Sequence, residues 1–176
     1  MTGPFEIGVR IEAAGWPRAL PRAETIAHAA AAAALQRLDA RGEASIVLAD
    51  DAFVQALNRD YRHVDRPTNV LAFAAAEAGI PDQPILLGDV VVALETTARE
   101  AAEVPGGLVH HLSHLVVHGV LHLLGHDHAT DPEARVMERL ETEILAGLGV
   151  ADPHGEAPGV SAAAPVPAPA GLGPIQ

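Results

Sequence analysis

The stretch that most constrains this chain runs from His110 to His128 and reads HHLSHLVVHGVLHLLGHDH. It contains seven of the ten histidines, set into an apolar segment that closes with Gly-His-Asp-His. Imidazole is the commonest metal ligand in proteins. Because residues four apart share one face of an α-helix, the stretch predicts an apolar helix that presents histidines to a metal ion.

The spacing of the histidines narrows the choice of ligands. His118 and His122 are about 40° apart around a helix and one turn apart along it, so both imidazoles can reach one ion. Gly125 permits the chain to turn back, and either His126 or His128 can then supply a third nitrogen. Three histidines and one water make an open zinc site, in which the pKa of the water falls to ~7. The pattern therefore predicts metal-assisted hydrolysis.

Other histidines of the stretch fit this ion less well. His110 lies about 120° around the helix from His122 and cannot share its ion. His114 can pair with His118 in place of His122, but the third ligand would then be about two turns away. We therefore interpret His114 as a buried residue or one that supports a ligand, and we expect His111 at the surface.

Composition limits the class of protein. The chain has 176 residues, 49% of them hydrophobic, and no cysteine, so a disulfide partner and thiolate metal sites are excluded and a cytoplasmic location is expected. The net charge is −12, which disfavours binding to nucleic acid through a broad basic surface. No segment reads as a signal peptide or approaches the ~20 apolar residues of a membrane helix, so we expect no membrane partner.

The order of elements predicts an α+β fold, with a small mixed β-sheet packed against helices and a zincin-like metal helix. We expect a single domain at residues 1–147 and a disordered tail, rich in Pro, Ala and Gly, at residues 148–176. A bulge is expected at Gly88, and residues 15–21 are expected to be irregular. Predicted strands cover 5–11, 45–48, 70–73 and 85–92, and predicted helices cover 22–39, 51–61, 94–103, a segment from 108, and 131–145.

Two motifs resemble those of the YbeY family of bacterial endoribonucleases. Residues 118–128, HGVLHLLGHDH, resemble its signature His-Gly-x-Leu-His-Leu-x-Gly-Tyr/His-Asp-His. Residues 58–73, NRDYRHVDRPTNVLAF, resemble its N-x-x-Y-R-x-x-D-x-P-T-[DN]-V-L-S-F segment, and residues 87–89, LGD, resemble its next element. The similarity runs from about residue 44 to residue 145.

Carried over position by position, the resemblance implies one Zn²⁺ per chain, held by His118, His122 and His128. The other candidate for the third ligand, His126, stands where many family members have tyrosine. The functionally important arginine of the family falls on Arg62. The implied catalytic groups are therefore Arg62 and a zinc-bound water.

The arginine bears on the choice of substrate. Its guanidinium is planar, permanently charged and suited to two phosphate oxygens, so Arg62 favours a phosphodiester substrate. Arg59 and Arg66 lie nearby in sequence, and we interpret them as loop charges paired with Asp60 or Asp65.

Further residues are expected beside the ligands rather than on the ion. These supporting residues are His114, His126 and Asp127. Asp127 can orient a ligand imidazole by accepting its second N–H, and the alternative is that it caps the following loop. The acidic residues of the last helix are expected to form a solvated face: Glu138, Glu141 and Glu143.

The implied function is a single-strand-specific, metal-dependent endoribonuclease acting in 3′-end maturation of 16S ribosomal RNA and in ribosome quality control. Ribosomal RNA is the implied substrate, and the acidic chain is expected to need the small ribosomal subunit or a ribosomal protein to deliver it. One alternative is a non-catalytic ribosome-assembly factor in which zinc holds the last two helices together. A zinc peptidase is disfavoured, because its His-Glu-x-x-His motif needs a glutamate where this chain has Gly119.

Overall fold

A mixed four-stranded sheet organises the computed structural model, which describes residues 3–75, 85–150 and 152–154. The strands are β1 (Phe5–Ile11), β2 (Gly42–Ala49), β3 (Val70–Ala74) and β4 (Leu86–Ala93). Their order is β1-β2-β4-β3, with β1, β2 and β4 parallel and β3 antiparallel at the edge. This arrangement confirms the predicted α+β fold with a small mixed sheet.

The described residues form six helices. They are α1 (Gly15–Ala19), α2 (Ala23–Arg37), α3 (Asp51–Arg62), α4 (Leu94–Ala101), α5 (Gly107–Leu123) and α6 (Asp131–Gly147). None of these helices is long and apolar enough to cross a membrane. Most of the predicted tail, 148–176, lies outside the described residues.

The expectation of an irregular segment at residues 15–21 is wrong, because α1 occupies most of it. Trp16 is fully buried there, and its Nε1 donates a hydrogen bond to Ala49 O at 2.8 Å. A large buried side chain therefore holds this short helix against the end of β2. The bulge predicted at Gly88 is present, since the pairing of β2 with β4 shifts register at this point and passes from Leu86 to Gly88.

Helices α2 and α5 cover one face of the sheet. The side chains of β1 alternate between half-buried and exposed, and its half-buried residues pack against the core on this face. Five alanines of α2 are buried, and their short side chains let α2 lie close to α5: Ala23, Ala27, Ala30, Ala31 and Ala34. The histidine helix is thereby fixed between α2 and the sheet.

The contact between α5 and β4 depends on a glycine inside the helix. A Cβ at Gly119 would lie 2.6 Å from Val90 Cγ1, closer than real Cβ contacts, and 3.0 Å from Val90 Cγ2. The backbone of α5 therefore touches β4 directly beside His118. A glutamate at position 119, as the peptidase motif requires, would have to enter space that Val90 fills.

Helix α6 packs against α5 and begins at a well-formed cap. Thr130 Oγ1 accepts a hydrogen bond from Glu133 N, and Glu133 Oε1 accepts one from Thr130 N at 3.1 Å. This reciprocal pairing is a capping box, and it sets where α6 starts relative to the end of α5. The face of α6 that contains Met137, Glu141 and Ile144 is buried as a result.

Substituting Gly119→Ala should lower the free energy of unfolding by about 1–3 kcal/mol, the range for overpacking a tight core. The added methyl must displace Val90 or separate α5 from β4. Urea unfolding followed by circular dichroism measures the change.

Gly147→Ala is the matched control, because position 147 is also helical and has no atom within 4 Å of an added Cβ. Alanine has the higher helix propensity, so this variant should be at least as stable as wild type. A Gly119→Ala protein as stable as wild type would contradict the close approach of α5 and β4.

Candidate metal centre

Three histidines come together at the C-terminal end of α5. His118 and His122 occupy successive turns of the helix, with their Nε2 atoms 3.2 Å apart. The ring of His128 lies 5.6 Å from that of His118 and 5.2 Å from that of His122, between centroids. One ligand atom from each of the three lies within 4.8 Å of the others. The structure therefore brings together the three residues predicted as zinc ligands.

A left-handed turn at Gly125 returns the chain to the end of α5. Gly125 has φ +95, a conformation that strongly favours glycine. Its N–H donates to His122 O at 3.0 Å, and the N–H of His126 donates to Leu121 O at 3.0 Å. Among the described residues, the resulting cluster of ligand atoms includes His128 and not His126.

The cluster fits a metal ion. Two imidazole nitrogens bound to a tetrahedral zinc at about 2.0–2.1 Å lie about 3.3 Å apart, close to the 3.2 Å between the Nε2 atoms of His118 and His122. His128 Nε2 is buried and has no hydrogen-bond partner among the described residues, although buried polar atoms in proteins are generally paired. These residues can therefore hold a metal ion.

The electrostatics of the cluster favour neutral imidazoles, which are the form that binds metals. Burial, and then the neighbouring His118 and His128, lower the pKa of His122 to about 3. Burial also lowers the pKa of His118, in spite of the nearby Glu141 carboxylate. Both side chains are therefore uncharged at neutral pH, with a lone pair available on one ring nitrogen.

Glu141 is the residue whose role the sequence analysis missed. The expectation that it is solvated is wrong, because its side chain is buried beneath α5 and accepts a hydrogen bond from His118 Nδ1. Although burial raises the pKa of the Glu141 carboxyl, the adjacent His118, His114 and His154 outweigh it and hold the pKa well below the usual value. An ionised carboxylate on Nδ1–H leaves His118 Nε2 free to face the ion.

A signal for Glu141 was present in the sequence. Met137, Ile144 and Leu145 are buried on the same helix, and the spacings 137, 141 and 144–145 follow one helical face. A carboxylate on an apolar stripe, aimed at a histidine helix, indicates a buried partner for imidazole. Glu138 and Glu143 are exposed, as expected.

The residues predicted to support the ligands make different contacts. Asp127 Oδ1 accepts the backbone N–H of His128 at 2.7 Å, which holds the loop that carries this ligand. His114 Nε2 lies 3.3 Å from Glu141 Oε1. The expectation of His111 at the surface is wrong, because its ring is buried and its Nε2 lies 2.8 Å from Glu100 Oε1.

Arg62 lies on a different element, at the C-terminal end of α3. Its Nη1 donates to Asn58 Oδ1 at 3.1 Å, and Asn58 Nδ2 donates to Arg66 O at 2.8 Å. Burial, and then the charge of Arg66, lowers the pKa of Arg62, but a guanidinium remains charged in proteins. Arg59 pairs with Asp60 at 3.2 Å, as predicted, but it lies on α3 and not in a loop.

The family model and the curated relatives that match this chain indicate the same family. The model of the family described as Endoribonuclease YbeY matches residues 18–149. An Endoribonuclease YbeY from Paramagnetospirillum magneticum is 53% identical over 163 residues, covering 89% of this chain and 99% of the relative. The chain belongs to the YbeY family. The resemblance predicted from the two sequence motifs is thereby confirmed.

A second named relative agrees with this assignment. An Endoribonuclease YbeY from Rhodospirillum rubrum is 47% identical over 173 residues, covering 89% of this chain and 86% of the relative. The solution structure of TM1509 from Thermotoga maritima is 21% identical and covers 85% of this chain and 99% of that chain, with a TM-score of 0.49. Similarity to named YbeY relatives therefore extends over most of the chain.

Substituting His128→Ala should reduce the affinity for Zn²⁺ by more than the about 10–100-fold that loss of a supporting contact costs, because one of three nitrogens is removed. His126→Ala is the matched control and should bind as wild type does, since His126 lies outside the cluster. Titration of Zn²⁺ against a competing chelator measures both affinities. A larger loss of Zn²⁺ affinity in His126→Ala than in His128→Ala would show that His126, and not His128, is the third ligand.

Proposed function

We propose that this protein is a zinc-dependent endoribonuclease that cuts single-stranded ribosomal RNA, in 3′-end maturation of 16S ribosomal RNA and in ribosome quality control. The observation that carries the proposal is the convergence of His118, His122 and His128, with His118 fixed by the buried Glu141. The family assignment confirms the prediction of an endoribonuclease, a hydrolase of phosphodiester bonds. Zinc, the exact RNA site and the role of each residue are part of the proposal.

His118, His122 and His128 would hold the zinc, each through one ring nitrogen. When bound, the ion would act as a Lewis acid that lowers the pKa of a water and polarises a phosphoryl oxygen. With only three residues as ligands, the ion would still be able to bind a water or a substrate oxygen. The donor set supports zinc, because imidazole suits it and carboxylate-preferring ions such as Mg²⁺ take oxygen ligands.

Residues of the chain orient the metal ligands and the phosphate of the substrate. Glu141 holds the proton on His118 Nδ1 and so keeps the ligand ring in one tautomer and one direction. Asp127 fixes the backbone at His128. We assign Arg62 the binding of phosphate oxygens on the RNA, because its fork can contact two of them at once, and Asn58 positions that fork through its Oδ1.

The alternatives are judged by particular residues. A peptidase would need a general base after the first ligand, and the contact of Gly119 with Val90 leaves no room for one. A non-catalytic assembly factor would use the ion only to join α5 to α6. Because Glu141 and His118 already join these helices directly, an open three-histidine site is better suited to chemistry than to a purely structural role.

The remaining expectations belong to the same proposal. The catalytic domain would comprise residues 1–147, with residues 148–176 as an extension outside it. The cytoplasm, where ribosomal RNA is processed in bacteria, would be its location. With a net charge of −12, the chain would depend on the small ribosomal subunit or a ribosomal protein to bring RNA to the site, because phosphate binding draws on positive charge.

Substituting Arg62→Ala should lower kcat/KM on single-stranded ribosomal RNA by about 10²–10³-fold, the range for removal of one positioned donor at a reacting group. Zinc content should be unchanged, since Arg62 is not a ligand. The measurements are cleavage of a labelled RNA oligonucleotide and metal analysis of the same samples.

Arg59→Ala is the matched control, because Arg59 is an exposed arginine of the same helix, paired with Asp60. His122→Ala should lose both the ion and cleavage. If Arg62→Ala kept its zinc and wild type cleaved no faster than both variants, the assembly-factor alternative would replace the nuclease.

The dependence on a ribosomal partner is tested by binding as a function of salt. We expect weak binding of the isolated protein to naked RNA, falling steeply as KCl rises, and faster cleavage when the same RNA is presented on small subunits. Fluorescence anisotropy and gel analysis measure the two effects. Tight binding to naked RNA that is insensitive to salt would refute the need for a partner.

A further inference from the structure

A second group of possible ligand atoms lies on the far side of Glu141. One carboxylate oxygen, Oε2, accepts from His118, whereas the other, Oε1, faces His114 and His154. One ligand atom from each of His114, Glu141 and His154 lies within 4.8 Å of the others. This trio is separate from the three-histidine cluster, although both groups lie beside the same carboxylate.

Each member of the trio is held by the fold rather than placed at random. His114 is one helical turn before His118 on α5, and Glu141 is a buried residue of α6. His154 follows the end of α6, where Asp152 Oδ1 accepts hydrogen bonds from Thr142 Oγ1 at 3.0 Å and from His154 N at 2.8 Å. This turn directs the His154 ring back onto Glu141.

The chemistry of the trio suits a divalent transition-metal ion. Two imidazoles and one carboxylate are a common ligand set for such ions, and they leave open positions for water. Glu141 is 1% exposed, so its Oε1 offers a ligand oxygen that is shielded from solvent. The His154 side chain is 29% exposed, which gives an ion a path from solvent.

We propose that His114, Glu141 and His154 form a second divalent-cation site, so that Glu141 joins two metal centres. Its Oε1 would bind the second ion, and its Oε2 would continue to accept from His118, which holds the first. Wild type would then bind two ions per chain instead of the one implied by the family motif. The inference concerns metal binding alone, so it stands or falls independently of nuclease activity.

Hydrogen bonding without an ion is the competing account of the trio, and glutamine substitutions separate the two. In His154→Gln the side-chain amide can still donate to Glu141, but it is a poor substitute for an imidazole nitrogen on zinc. His114→Gln makes the same change on the other side of the carboxylate. His28→Gln is the matched control, because His28 is an exposed histidine of α2 that belongs to neither group.

The experiment is metal analysis of the full chain after equilibration with buffered free Zn²⁺, with circular dichroism to confirm folding. We expect two zinc ions in wild type and His28→Gln, and one in His154→Gln and His114→Gln. His122→Gln should keep the second ion. If either trio variant does not fold, the other provides the result.

A count of one ion in wild type would overturn the proposal, as would two ions in both trio variants. Cobalt substitution adds an independent readout, since Co²⁺ bound by two nitrogens and a carboxylate absorbs differently from Co²⁺ bound by three nitrogens. Loss in His154→Gln of the absorption from only one of the two bound Co²⁺ ions would support the second site. An identical spectrum in wild type and His154→Gln would refute it.

Discussion

The hydrogen bond between the buried carboxylate of Glu141 and Nδ1 of His118 is the interaction on which the metal centre depends. An ionised carboxylate with 1% exposure is tolerated only when its charge and lone pairs are satisfied, and a hydrogen bond to such a charged group contributes about 1.5–3 kcal/mol. The imidazoles of α5 provide that compensation. In return, the carboxylate fixes the tautomer of His118 and joins α6 to α5, so stability and metal binding depend on one contact.

Close packing makes this contact possible. Because Gly119 has no side chain, α5 lies directly against Val90 of β4, and the buried alanines of α2 confine the helix from the other side. A helix held this firmly presents His118 and His122 in fixed directions. The left-handed turn at Gly125 then needs to place only one more imidazole, that of His128, to complete a three-nitrogen set.

The sequence predicts the features that depend on local pattern. Strand β1 is predicted at its observed bounds, and helical spacing together with the family resemblance identifies the histidines that cluster, because both follow from periodicity along a single element. Glu141, His154 and Trp16 could not be placed in this way, since their roles depend on contacts between elements far apart in the chain. The apolar stripe of α6 indicates that Glu141 is buried, but its hydrogen bond to His118 depends on the packing of α6 against α5. His111 reads as exposed until Glu100 is found beside it.

The most direct test of the account is long-range ¹H–¹⁵N NMR of the histidine side chains, recorded on the zinc-free and the zinc-loaded protein. The account predicts that His118 has its proton on Nδ1 in both states and that zinc shifts the resonance of its Nε2. It further predicts that Glu141→Gln weakens this tautomer preference, whereas Glu138→Gln on the exposed side of α6 does not. A proton on Nε2 of His118 in the zinc-free protein, or a zinc-induced shift at its Nδ1, would contradict the account.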